Sequence, residues 1–231
     1  MILNDFFRDV VFNEEGHRYF YKGEPILLSA SKVFHKFVEP FDAEGIARSI
    51  CAKSGKDPVE LIKEWNTKSQ EACDLGTSVH SFGEKYAINR TLKPKNGYEQ
   101  AIVNFWNTVP DFVKIVSLEQ IMYHFELDYA GTADIILYNE KTGKFIIGDY
   151  KSNTNLFKNY KGKRMLKPFQ NLLDMPFNHY QLTLSLYQML LEQINGVEVS
   201  IRRLIWLFPD GTFKLLDTDD YTGILKKELK R

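Results

Sequence analysis

Two short segments in the second half of the chain carry acidic residues at points where strands are predicted. The first, Ala-Gly-Thr-Ala-Asp, ends at Asp134, and the second, Gly-Asp-Tyr-Lys-Ser, contains Asp149 and Lys151. Apolar runs lie next to both segments, and the short loop 140–143 between them suits a hairpin in which Asp134 faces Asp149. Because residues two apart share one face of a strand, Lys151 points to the same side as Asp149. The spacing therefore predicts three charged groups that converge at the end of a buried sheet.

This arrangement of charges is unfavourable unless a cation neutralises it. Carboxylates at opposed strand positions repel each other, and a partly buried pair either takes up a proton or binds a cation. We expect Mg²⁺ or Mn²⁺, because a hard divalent ion prefers oxygen ligands and retains positions for water and a substrate phosphate. Lys151 beside the ion would position water or stabilise charge on the scissile phosphate. The alternative is that Asp149 and Lys151 form an ordinary polar strand end and that Asp134 is a turn residue.

A further candidate ligand lies on a predicted helix upstream. Gly76, His80 and Glu84 are spaced at i, i+4 and i+8, so they lie along one helical face. Imidazole is a common metal ligand, which makes His80 the candidate that completes the site, although a single helical histidine is more often a core or surface residue. Glu84 either supports the ligands or is a solvated helix residue. Glu119, in a neighbouring predicted strand, is expected to orient one of the groups of the site.

A basic segment, residues 157–167, follows the second acidic segment. Between Lys151 and Asp174 the chain has no acidic residue, and aromatic side chains are interleaved with cationic ones. The cationic residues are Lys158, Lys161, Lys163, Arg164 and Lys167. Cations neutralise phosphates and aromatic rings stack on unpaired bases, so this segment is a candidate path for single-stranded DNA. A solvated basic loop is the alternative.

The composition narrows the class of protein. Of the 231 residues, 44% are apolar and 26% are charged, and 30 basic residues balance 30 acidic ones, so any DNA-binding surface must be local. The two cysteines, Cys51 and Cys73, exclude a four-cysteine iron–sulfur cluster. No apolar run reaches the length of a membrane span, and the N-terminal residues lack the order of a signal peptide. We therefore expect a cytoplasmic protein with no membrane partner.

The order of predicted elements indicates an α/β fold in a single domain over residues 1–231. Alternating apolar and polar residues predict an N-terminal β meander over 1–28, and 29–110 is rich in helix formers, with breaks at proline and glycine. The remainder, 111–231, predicts a sheet core with closing helices. We expect a central mixed β-sheet of roughly four or five strands flanked by helices, with the helical N-terminal half over the site.

The motifs that carry this chemistry resemble those of the RecB-like branch of the PD-(D/E)XK nuclease superfamily, over about residues 29–231. In order, the matching motifs are Gly76–His80, Gly131–Asp134, Asp149–Lys151 and the helical pair Gln181 and Tyr187. The resemblance implies a restriction-endonuclease-like core. It also implies that His80, Asp134 and Asp149 bind the metal and that Lys151 is catalytic.

The resemblance extends to residues around this set. It implies that the Tyr150 carbonyl is a further metal ligand and that Gln181 and Tyr187 contact DNA beside the site. Here, however, Gln181 is six residues before Tyr187 instead of the four typical of the family, so the two do not share a helical face. The opening segment 29–42, which contains Ser31, is similar to that of some exonucleases and implies another DNA contact.

The family implies a deoxyribonuclease. Because the chain lacks four cysteines, it is more similar to the smaller, cluster-free members, which include the mitochondrial genome maintenance exonucleases and phage-encoded exonucleases. We therefore expect an exonuclease for single-stranded or free-ended DNA, of the kind used in DNA repair, in a bacterial or phage-infected cell. A structure-selective endonuclease on the same core is the nearest alternative, and a non-catalytic nucleic-acid-binding module that keeps the fold is another.

Overall fold

A computed structural model of the protein describes residues 2–230 and contains helices on both faces of a large β-sheet. The helices are α1 (Ile2–Phe6), α2 (Ala30–His35), α3 (Ala43–Ser54), α4 (Pro58–Ile88), α5 (Gly97–Thr108), α6 (Pro176–Glu192) and α7 (Thr222–Leu229). The strands are β1 (Val10–Asn13), β2 (Arg18–Tyr21), β3 (Glu24–Pro25), β4 (Leu28–Ser29), β5 (Val113–His124), β6 (Tyr129–Asn139), β7 (Lys144–Lys151), β8 (Val199–Leu207) and β9 (Phe213–Asp217).

The large sheet contains both parallel and antiparallel neighbours. Its main strand order is β4-β6-β7-β8-β9, and β5 also pairs with β6. The pairs β4–β6 and β7–β8 are parallel, whereas β5–β6, β6–β7 and β8–β9 are antiparallel. The expected α/β fold with a mixed central sheet flanked by helices is confirmed. The sheet has more strands than expected because β4 contains only Leu28 and Ser29, which is too short to give a sequence pattern.

Side chains of the central strands alternate between two apolar layers. In β6, Ile135 and Leu137 pack in the layer that contains Trp106 of α5, whereas Ile136 packs in the layer that contains Leu186 of α6. Successive residues of a strand point to opposite faces, so a strand covered on both faces must be apolar at consecutive positions. This explains why a continuous apolar run precedes each acidic segment or follows it.

The N-terminal region differs at both ends from the β meander expected over 1–28. Strands β1, β2 and β3 form a separate antiparallel sheet, but α1 precedes it, and β4 leaves it to join the large sheet. Helix α1 forms because Leu3 and Phe7 are one helical turn apart and both enter the main core, where each is 3% exposed. A helix this short has too few apolar positions for its period to be recognised.

Only the second half of α4 packs against the sheet. The helix begins after Asp57, whose carboxylate caps the first turn. Residues 66–74 are all exposed, whereas Val79, Gly83 and Tyr86 are buried along one face. The C-terminal half of α4 is therefore the part that holds the helix against the sheet. Between residues 2 and 230, no helix combines the length and the apolar character needed to cross a bilayer.

Candidate metal centre and its clefts

The β6–β7 hairpin has the register predicted from the sequence. Ile135 pairs with Gly148, so the next positions along the two strands, Asp134 and Asp149, come together at the open end of the hairpin. There the Tyr150 amide N–H donates to Asp134 Oδ2 at 3.0 Å. Beyond the Ile135–Gly148 pair, a side-chain carboxylate of β6 therefore accepts the hydrogen bond from the main chain of β7.

His80 of α4 joins the two aspartates as a third potential ligand. One donor atom from each of His80, Asp134 and Asp149 lies within 4.8 Å of the others. His80 Nδ1 is 3.1 Å from Asp134 Oδ2, and its Nε2 is 3.0 Å from the Tyr150 carbonyl oxygen. Two ligands of one magnesium ion are at most about 4.2 Å apart, since each bond is about 2.1 Å long. Donors within 4.8 Å of one another are thus close to the spacing that ligands of one ion require.

Close contact between α4 and β7 holds His80 over the hairpin end. A Cβ atom at Gly83 would lie 2.6 Å from the Tyr150 ring, so a larger residue would force the helix away from the strand. Trp106 Nε1 donates a 2.8 Å hydrogen bond to the Tyr150 hydroxyl, and both side chains are buried. Because His80 is nearly one turn before Gly83, the same contact fixes the position of its imidazole.

Lys151 lies beside the acidic pair with its ammonium group largely enclosed. Its Nζ is 2.6 Å from Asp149 Oδ1, and its side chain is only 16% exposed. The ammonium group also lies over the Tyr180 ring, 4.5 Å from the centroid, and the Tyr180 hydroxyl donates to Asn153 Oδ1. Lys151 is thus held in one position, which is a requirement for a group that stabilises developing charge.

Burial and mutual charge shift the pKa values of these four side chains. Burial and the Asp134 carboxylate raise the pKa of Asp149 to about 8, and Lys151 offsets only part of this effect. Burial opposes ionisation of Asp134 and His80, but their attraction outweighs it: the pKa of Asp134 falls below its usual value and the pKa of His80 rises to about 9. Burial also opposes the charge of Lys151, but Asp149 raises its pKa above the usual value. The group therefore retains protons that a divalent ion would displace.

Glu119 adds another carboxyl group next to this set. Leu118 of β5 pairs with Ile135, so Glu119 stands opposite Asp134 at the next position. Its φ of 46° is in the left-handed region, which is uncommon for residues other than glycine and often occurs at functional sites. Burial, together with repulsion from Asp134, raises the pKa of Glu119 to about 7. The expectation that Glu119 orients a group of the site stays a prediction.

Two clefts meet at the candidate metal centre. The larger, which we name the meander cleft, has a volume of about 810 Å³ and lies between the β1–β2 pair, α4 and the start of β6. The smaller, which we name the loop cleft, has a volume of about 470 Å³ and lies between α4 and segment 151–154. Gly76 and His80 line both. A Cβ atom at Gly76 would meet no atom within 4 Å, so this position leaves the junction of the clefts open.

Of the residues predicted to act beside the ligands, some line the meander cleft and one lies in the core. Ser31, Glu84 and Tyr187 line the meander cleft. Gln181 is instead only 3% exposed. Its Nε2 donates to Asn178 Oδ1, and its Oε1 accepts a hydrogen bond from the Asp219 main-chain N–H, in the loop before α7. These contacts use the Gln181 side chain inside the core, whereas Tyr187 lines the cleft, because their spacing of six residues turns the two side chains to different faces of α6. A DNA contact at Gln181 stays a prediction.

The basic segment does not converge on the candidate ligands. Lys163 forms ion pairs with Asp174 at 3.2 Å and with Glu39 at 3.6 Å. Arg164 donates to main-chain carbonyls of the same loop. Arg164 is exposed, as are Lys158, Lys161 and Lys167. Among the residues described as lining the two clefts, none belongs to this set of five, so contact with DNA further from the metal centre stays a prediction.

Aromatic residues of the β1–β2 pair, which the sequence did not single out, also line the meander cleft. The Phe12 ring centroid is 4.7 Å from that of Tyr19 and 5.6 Å from that of His17. The Tyr19 hydroxyl shares a 3.0 Å hydrogen bond with the hydroxyl of Thr132, just before Asp134. Because this bond joins positions 113 residues apart, no local pattern could have indicated it.

Comparison with known proteins gives no family for this chain: no protein-family model matches it, and neither does any curated protein. Function is therefore inferred from the side chains themselves. The donors at the hairpin end, the enclosed lysine and the two clefts are the features that bear on it.

Proposed function

We propose that this protein is a divalent-metal-dependent deoxyribonuclease with a restriction-endonuclease-like core of the RecB-like type. The observation that carries the proposal is the grouping of His80, Asp134 and Asp149 donors within 4.8 Å, with Lys151 Nζ 2.6 Å from Asp149. Two carboxylates and an imidazole are suitable ligands for Mg²⁺ or Mn²⁺. The retained protons support the same view, because a bound cation would remove the repulsion that raises the pKa of Asp149.

Each group has a separate role in this proposal. His80, Asp134, Asp149 and the Tyr150 carbonyl would hold the ion, which when bound lowers the pKa of a water molecule and polarises the phosphate. Lys151 donates hydrogen bonds to the attacking water or to a phosphate oxygen. It thereby stabilises the negative charge that develops on the pentacovalent phosphorus, and its enclosed position strengthens the effect because the local dielectric is lower than that of water.

The favoured substrate is single-stranded or free-ended DNA, and the favoured activity is that of an exonuclease. Both clefts are lined by Gly76 and His80 of α4, so a strand that follows the two clefts must pass this helix closely. A narrow single strand meets this condition more readily than a duplex. A cytoplasmic setting, as expected from the sequence, belongs to the proposal.

End-labelled DNA incubated with Mg²⁺ or Mn²⁺ tests the proposal. Single- and double-stranded DNA, each linear and circular, should be compared in one gel. Linear single strands should be shortened, chelation by EDTA should stop the reaction, and circles should survive. Asp149→Asn, which removes one ligand charge, should abolish cleavage without changing the melting temperature by more than a few degrees, on the order of 1 kcal/mol. Failure of the wild-type protein to cleave any form with either metal would overturn the proposal, and cleaved circles would replace the exonuclease by an endonuclease at the same site.

A further inference from the structure

The meander cleft is poorly suited to hold a phosphate backbone. Its described lining includes three glutamates, Glu14, Glu84 and Glu119, and neither lysine nor arginine. Proteins bind nucleic-acid phosphates chiefly through lysine and arginine, and carboxylates at short range repel them. A strand that enters this cleft must therefore present groups other than its phosphates to the acidic wall.

The same cleft contains a cluster of rings that is suited to stacking. Phe12 and Tyr19 are half-buried and His17 is exposed, and the Phe12 ring contacts both others. The hydrogen bond between Tyr19 and Thr132 fixes the cluster against β6, beside the candidate ligands. A ring that is already held in place loses little freedom when a base stacks on it, and base–aromatic stacking tolerates any base.

Polar groups of the cleft complement the edges of a nucleoside. Tyr187 lines the cleft, and its hydroxyl makes no hydrogen bond within residues 2–230. A hydroxyl can donate or accept a hydrogen bond, whereas the carboxylates of Glu84 and Glu119 accept from base amino groups or sugar hydroxyls. The volume of about 810 Å³ is within the range of roughly 300–1,000 Å³ that is usual for small-molecule sites.

We propose that the meander cleft is a nucleobase subsite that holds the base and sugar of the nucleotide next to the scissile phosphate, with the base stacked on Phe12. This inference deepens the proposed nuclease function and rests on it. The phosphate itself lies at His80 and Lys151, at the junction with the loop cleft. Such a subsite makes cleavage depend on whether a base is present on one side of the scissile bond. Which of the four bases it is has little effect.

Oligonucleotides with one abasic residue, moved stepwise along the strand, test the subsite. The wild-type protein should cleave the bond beside the abasic residue with a kcat/KM lower by on the order of 5- to 100-fold, the loss expected for one stacked base. Phe12→Ala should lower kcat/KM on intact DNA by a similar factor and should no longer discriminate against the abasic residue. Val11→Ala is the matched control, because Val11 is 57% exposed on the same strand and does not line the cleft.

A binding measurement separates stacking from turnover. In EDTA, 2-aminopurine at the same position of a single strand should be quenched by the wild-type protein and by Phe12→Tyr, which keeps the ring, but not by Phe12→Ala. If the protein cleaves DNA but ignores the abasic residue, or if Phe12→Ala still discriminates, the subsite is wrong and the nuclease proposal stands. If the wild-type protein cleaves no DNA with either metal, the proposed function fails and the subsite fails with it.

Discussion

The candidate metal centre and the basic segment both concentrate charge, but they lie on different kinds of structure. His80, Asp134, Asp149 and Lys151 extend from a long helix and two paired strands, and their charged atoms lie close to one another. The basic segment lies on a loop. Two of its five cationic side chains already have acidic or carbonyl partners that belong to the surrounding fold.

The difference separates charge that stabilises the fold from charge that is available for chemistry. Lys163 is compensated by Asp174 and Glu39, so binding a phosphate would cost it those partners. At the candidate metal centre, two carboxylates remain close to each other, and burial together with their repulsion raises the pKa of Asp149. Rigid placement of incompletely compensated charge is typical of functional sites. The following experiments test this contrast.

The largest effect is expected for the lysine at the end of β7. Lys151→Ala should lower kcat by at least about a hundredfold, because it removes a fixed donor for developing negative charge. Lys144→Ala is the matched control at the other end of the strand, where Lys144 pairs with Glu198 at the surface. Single-turnover cleavage of labelled DNA measures both. Equal rates in the two variants would mean that Lys151 acts as an ordinary surface lysine.

A side chain at the junction of the clefts should block the substrate without harming the fold. Gly76→Leu should reduce kcat/KM on the order of tenfold to a hundredfold, because the added side chain enters open space beside His80. Replacing a helical glycine should also raise stability, by up to about 1 kcal/mol. Gly223→Leu, at another open helical position, is the control and should affect only stability. Full activity of Gly76→Leu would show that no strand passes this point.

Metal affinity should increase as the pH rises from 7 to 9. In the ion-free protein the pKa of His80 is about 9 and that of Asp149 is about 8, so both hold protons at pH 7 that the ion must displace. Because both pKa values are raised in the folded protein, the ion-free fold loses stability as the pH rises towards 8 and 9. Mg²⁺ binds more tightly at the higher pH, so it should increase the melting temperature more at pH 9 than at pH 7. Calorimetry in buffers of different ionisation enthalpy measures the released protons. An affinity that is constant over this range would contradict the coupling.

The smallest effects are expected in the basic segment. There, some substitutions should change the salt dependence of DNA binding and another should change only the stability. Lys158→Ala and Lys161→Ala should each reduce the slope of log K against log salt for single-stranded DNA by about 0.7, with unchanged stability. Lys163→Ala should leave the slope unchanged and reduce the free energy of unfolding by no more than about 1 kcal/mol, since its side chain is 34% exposed. Salt titrations and urea unfolding measure the two quantities. A change of slope in Lys163→Ala would contradict its structural role.

The parts of the site that could be predicted from the sequence are those governed by local periodicity. The register that places Asp134 opposite Asp149 follows from two apolar runs and a short loop, because a slip of one residue would turn every buried side chain to the wrong face. Helical spacing together with the resemblance predicts His80 as a ligand. Its partner atoms cannot be predicted in this way, since they depend on how closely Gly83 lets α4 approach β7.

The parts that could not be predicted depend on contacts between distant segments. The two-residue strand β4 exists only because β6 offers it a parallel edge. Likewise, Phe12 becomes part of a cleft only through the bond between Tyr19 and Thr132, and Lys163 is compensated by Glu39, 124 residues before it. None of these pairings leaves a period or a motif in either segment alone.

Helix α4 contacts the sheet along only part of its length. Its last turns are fixed to the sheet by Val79, Gly83 and Tyr86, so His80 keeps its place relative to the aspartates. Residues 66–74 are exposed and lie beyond this contact with the sheet. If the proposed nuclease admits a DNA strand beside this exposed stretch, the width of the entrance is set by a different part of α4 from the part that places His80 beside the two aspartates.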